Sequence, residues 1–164
     1  MVERVEKIVN RIEDGLALGL VSVIVLSVFL QVFCRYVLQA PLSWTEELAR
    51  SCLIYLTFVG SSLAIRVKGH FVLEILVMKL PGKLHLVWEL LLMGIILVFL
   101  GVLLVYGTLM LPMLSLQMSA SLQIPMSYIY LAIPIGSSFM FFHVVLMIWR
   151  RMGHAFFTLP EREN

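Results

Sequence analysis

The chain has 164 residues, of which 61% are hydrophobic and only 13% charged, against about 25% charged in an ordinary soluble domain. Its formal net charge of +2 gives no basis for nucleic-acid binding. No Lys, Arg, Asp or Glu occurs from Leu90 to Trp149, a run that a bilayer solvates directly and a water-soluble fold could not cover with polar surface. The composition therefore predicts an all-α membrane protein forming a single membrane domain over residues 1–164.

Residues 3–13 are charged but patterned. Val5, Ile8, Val9 and Ile12 recur at helical spacing, and Glu3, Arg4, Glu6, Lys7, Arg11 and Glu13 lie mostly off that stripe. This predicts a short amphipathic helix on the membrane surface, or a water-exposed first turn of the following span. The two readings merge if the chain bends near Gly15. Span one covers about 15–35, and its uncharged stretch from Gly15 to Cys34 matches a hydrocarbon core of about 30 Å. It is too long for the apolar part of a signal peptide, so it reads as a retained span.

A break is predicted at Gln39-Ala40-Pro41-Leu42. Ser43 and Glu46 then have the spacing of a capping box, which starts span two (43–66) well before its apolar stretch. Glu46, Glu47 and Arg50 thus enter the outer edge of the membrane, where Arg50 can pair with either acid on one helix face. Arg66, Lys68 and His70 are expected to end this helix. Residues 70–80 are too short to cross and read as an interfacial helix stopped by Pro81-Gly82. Span three covers about 87–111 and is expected to end at Pro112. Span four covers about 125–149 and should be kinked by Pro134, whose ring removes a backbone hydrogen bond.

With four spans, every Lys and Arg except Arg35 and Arg50 falls on the side that holds both termini. The positive-inside rule places that side in the cytoplasm.

The chemistry is sparse. Mid-depth positions are almost wholly apolar, whereas transporters and channels place ionisable groups there. No nucleophile–base pair, phosphate-binding loop or metal cluster is evident, so the chain is not expected to be an enzyme, and no cofactor is predicted. Cys34 and Cys52 lack metal-ligand spacing and read as small packing residues, with a disulfide as the alternative. His143 reads as a satisfied or interfacial histidine. The competing reading pairs it with His70 as haem ligands in a membrane anchor of a redox enzyme. The strongest polar constellation is Arg35, Trp44, Glu46, Glu47 and Arg50 at one membrane face. It has two readings: a capped helix end with an aromatic belt residue and neutralised interface charges, or a partner-docking edge. The small residues Gly60, Ser61, Ser62, Gly136, Ser137 and Ser138 would admit close helix approach, from a partner or within the chain.

Several stretches together resemble one family. Arg35-Tyr36-Val37 is followed by Pro41-Leu42, Trp44, Glu46-Glu47-Leu48 and Arg50, then by Gly60, and then by Arg66 with Gly69-His70. Ile124-Pro125-Met126-Ser127-Tyr128 and Ala132-Ile133-Pro134-Ile135-Gly136 follow near the end. Their order and spacing resemble the small, four-span permease subunit of tripartite ATP-independent periplasmic (TRAP) transporters over nearly the whole chain. Two departures are Tyr55, where members often carry Trp, and Val67, where many carry Glu. The resemblance implies a system in which a periplasmic binding protein captures an organic acid and a large permease subunit moves it inward on a sodium gradient. It implies that the small subunit, in the bacterial inner membrane, has no substrate site, braces the large subunit and helps dock the binding protein. Tyr36, Pro41, Gly60, Arg66, His70, Pro125 and Pro134 are then family-pattern structural positions, and Arg35, Trp44, Glu46, Glu47 and Arg50 candidate partner contacts.

Overall fold

The computed structural model describes residues 2–40, 42–77 and 83–157. Five helices account for most of them: α1 (Val2–Tyr36), α2 (Ser43–Val77), α3 (Lys83–Leu114), α4 (Met126–Tyr130) and α5 (Ala132–Phe157). Four stretches are long and apolar enough to cross a membrane: Arg4–Tyr36, Ser43–Val67, Leu90–Leu114 and Met126–Arg150, the last formed by α4 and α5 together. The second has the lowest mean hydropathy, 1.6 against 2.0 to 2.8 in the others, in keeping with the Arg50, Ser51, Thr57, Ser61 and Ser62 that its apolar stretch carries. This all-α, four-span architecture is the one that composition and spacing predict.

The helix boundaries depart from the sequence reading in four places. Residues 3–13 are not a separate element, since α1 runs unbroken through Gly15. A single glycine costs only about 1 kcal/mol in a helix interior and does not break one that packing supports. Likewise α2 continues through Arg66, Lys68 and His70 to Val77, because no proline intervenes and the single Gly69 is tolerated in a helix interior as Gly15 is. The start of the expected interfacial helix is therefore its last turns, and residues 78–80 lie outside the described residues. Pro112 lies inside α3, which ends at Leu114. A proline in a last turn forfeits one hydrogen bond, and the Ser115 N–H still reaches the Leu111 carbonyl. Finally, the expected kink at Pro134 falls at Leu131, between α4 and α5. Pro134 has no N–H to offer the Tyr130 carbonyl, so the ladder loosens in the turn just before the ring.

The helices pack in a row. α1 lies on α2, α2 on α5 and α5 on α3, while α2 and α3 scarcely meet. The core is formed by Leu100, Met140 and Val144, with Phe58 and Ile65 of α2 packed against them. Gly136 makes the α2–α5 crossing possible: a methyl group there would collide with the Phe58 side chain and lie 3.1–3.2 Å from its backbone. The small residues divide accordingly. Ser62 and Ser137 are buried and Gly136 serves internal packing, whereas Gly60 faces open space and Ser61 and Ser138 are exposed. The outer surface carries leucine, valine and phenylalanine along α1 and α3, an exterior that lipid covers at no cost in unsatisfied backbone.

Candidate functional site

Polar side chains gather near both ends of the helices. At the end away from both termini, α1 stops after Tyr36 and the chain reverses through Gln39, whose φ of 52° lets the Ala40 N–H return to the Cys34 carbonyl. α2 then starts at Ser43. Glu46 does not turn back to complete a capping box; its Oε1 accepts from Arg50 Nη2 at 2.8 Å, one turn on, with both side chains largely exposed. Glu47 points elsewhere. Its Oε2 accepts the backbone N–H groups of Ser121 (2.7 Å) and Leu122 (3.0 Å), 74 and 75 residues away. One carboxylate thereby holds the α3–α4 connection against α2. The connection is further closed by the Met126 N–H bond to Gln117 and the Ser119 N–H bond to Ile124. The Tyr55 hydroxyl donates to the Tyr128 carbonyl and ties α2 to α4.

A groove of about 430 Å³ runs between Glu46, Glu47 and Arg50 on one side and Ser121 and Tyr130 on the other. Around α4 lies an apolar crevice of about 390 Å³, with Leu16, Leu20, Cys52 and Tyr128 in its walls. Both cysteines are free thiols, Cys34 buried and Cys52 half-buried. Arg35, Tyr36 and Trp44 are exposed at this end. Among the described residues no ion pair joins Arg35 to Glu46 or Glu47. The predicted constellation is thus a set of neighbours with separate tasks. Pro41 lies outside the described residues, and of His70 only the helical backbone is described.

The second cluster was not anticipated. Glu13 of α1 is 0% exposed. Ser62 Oγ of α2 donates to its Oε1 at 2.7 Å, and His143 Nε2 of α5 sits 2.9 Å from Oε2 and 3.1 Å from Oε1. Arg66 Nη1 lies 3.7 Å from Glu13 Oε2 and donates to the Asn10 carbonyl at 3.3 Å, while Nη2 donates to Asp14 at 2.6 Å. Beyond them Glu6 pairs with Arg150. A carboxylate deprived of water needs such partners, since an isolated buried charge is prohibitively costly. Here they come from two other helices, so the cluster clasps α1 to α2 and α5. His143 is the satisfied histidine of the sequence reading, and its partner among the described residues is Glu13. The signal was present in the polar row Glu6, Asn10, Glu13, spaced four and three apart beside the apolar row Val5, Ile8, Ile12. The polar row faces inward and the apolar row outward, the reverse of a water-soluble helix.

Four crossing helices, an apolar exterior and ionisable groups used to join helices define a multi-pass membrane protein built to pack. The family described as tripartite ATP-independent periplasmic transporters, DctQ component, matches residues 24–154. The chain is 29% identical to the sialic acid TRAP transporter small permease protein SiaQ of Vibrio cholerae, over 92% of its own length and 87% of that protein. It is 24% identical to a putative TRAP transporter small permease protein of Haemophilus influenzae, over 87% of this chain and 86% of the relative. A stretch covering 48% of the chain is 32% identical to 13% of the sialic acid TRAP transporter permease protein SiaT of Haemophilus influenzae. The chain therefore belongs to the DctQ family, the small permease subunits of TRAP transporters. It is a multi-pass inner-membrane subunit that works with a large permease.

Proposed function

We propose that this subunit braces the large permease during sodium-coupled uptake of an organic acid brought by a periplasmic binding protein, with both of its own termini in the cytoplasm. One observation carries the reading. The ionisable groups buried among its helices, Glu13, His143 and the largely enclosed Arg66, are engaged with one another. No buried charge among the described residues is left over to receive a carboxylate substrate, so substrate chemistry belongs to the partner chains. The names of the relatives point to a sugar acid as the first substrate to try.

The outer end supports a docking role. Glu46 and Arg50 line an open groove beside a loop that Glu47 holds in place, and Arg35 and Trp44 are exposed nearby. A held loop contributes to association because less freedom is lost when the partner arrives. The test is reconstitution of both permease subunits in liposomes with the binding protein and sialic acid. Uptake should require an inward sodium gradient and should stop when the small subunit is omitted. Uptake that persists without this chain would overturn the bracing role. Reporter fusions at residue 118 and at the C-terminus test orientation: an enzyme active only outside the cytoplasm should work at 118 alone.

A further inference from the structure

α1 sorts its charges by direction before it enters the membrane. Glu6 and Glu13 turn inward, Glu6 to Arg150 and Glu13 to the clasp, and Asp14 is paired with Arg66. Arg4, Lys7 and Arg11 are exposed. Spaced three and four apart, they share one face of the helix, next to the exposed apolar row Val5, Ile8 and Ile12. None of the three basic residues has an ion-pair partner among the described residues.

Their depth is fixed by α5. Arg150 pairs with Glu6, and the preceding residue, Trp149, is 73% exposed. An outward-facing tryptophan at the end of a span marks the headgroup layer. Glu6 is therefore level with that layer, and Arg4, Lys7 and Arg11 lie within about 8 Å of it along the helix at 1.5 Å per residue. Long basic side chains cover such a distance by extending toward the interface.

From this geometry we infer that the Arg4–Lys7–Arg11 face is a docking surface for anionic phospholipid headgroups, with Val5, Ile8 and Ile12 seated at the adjoining acyl boundary. The charge is complementary, because Glu6, Glu13 and Asp14 are turned away or neutralised while Arg4, Lys7 and Arg11 remain outward. The clasp beneath holds the face at one height and one rotation. The site is a property of this chain, so it stands whether or not the bracing role holds.

The test uses the full chain with its large permease in bilayers containing spin-labelled phosphatidylglycerol or spin-labelled phosphatidylcholine. Electron paramagnetic resonance reads the fraction of each lipid held at the protein. The wild type should prefer phosphatidylglycerol, and the preference should fall as salt is raised. Replacing Arg4, Lys7 and Arg11 together by Gln should lower the preference about fivefold or more, since one basic side chain near an anionic surface is worth about that factor. An unchanged preference in the triple variant would overturn the inference. So would a triple variant that keeps its lipid preference but no longer co-purifies with the large permease, because the face would then bind an acidic segment of the partner.

Discussion

Glu13 is wholly enclosed and meets side chains from two other helices, Ser62, Arg66 and His143. Glu46, at the opposite end of the helices, stays 59% exposed and meets Arg50 one turn along its own helix. Glu47 beside it reaches across the chain, but to backbone N–H groups of a loop and not to another span. The contrast separates two uses of an acid in a membrane protein. Buried with partners from several helices, it fixes which spans are neighbours. Left at the edge, it shapes a surface and contributes little to the fold.

The sharpest way to break this contrast is Glu13→Ala. It leaves His143, Ser62 and Arg66 without their shared acceptor, and removing one partner of a buried charged cluster costs about 3 kcal/mol or more. Thermal unfolding of the purified chain in detergent should show a large loss. A Glu13→Ala, His143→Ala double variant should lose less than the sum of the single variants; strict additivity would show that the two residues do not act together. Between the two ends, Gly136→Ala tests the crossing at Phe58. The added methyl must displace α5, at a cost of about 2 kcal/mol, read in the same assay. Glu47→Gln should leave global unfolding nearly unchanged while the Ser121 and Leu122 amides exchange with solvent faster, which hydrogen exchange resolves residue by residue. The smallest expected effect on the fold is that of Arg50→Ala, about 0.3 kcal/mol for an exposed one-turn pair. Its effect should appear in co-purification with the large permease, where the charge reversal Arg50→Glu should act more strongly. An Arg50 variant that unfolds readily yet assembles normally would reverse the roles given to the two ends.

Much of this was legible in the sequence. The uncharged run from Leu90 to Trp149, the early start of α2 at Ser43 and the Glu46–Arg50 pair all follow from local spacing. The Glu13–His143 contact does not, because it joins residues 130 apart. Helical periodicity shows that Glu6, Asn10 and Glu13 share a face. It does not show whether that face meets water or another helix, since in a bilayer the apolar face is the one left outside. Glu47 was misleading for a related reason. Its neighbour Arg50 is three residues away in sequence, whereas its actual partners lie in a connection whose path no periodicity reports. The helix limits at Gly15 and at Arg66 to His70 were placed too early, because charge was read as a stop signal where the helices continue past it.

The row arrangement has a consequence for biosynthesis. In space α5 lies between α2 and α3, yet it leaves the ribosome after both of them. The first three spans cannot reach their final spacing while they wait, since the place beside Phe58 and Leu100 is still open. Glu13 meanwhile has Ser62 and Arg66 to hand but not His143. Insertion of α5 is thus what seals the clasp, and a product truncated before it would expose an unfinished polar seam by which membrane quality control could recognise it.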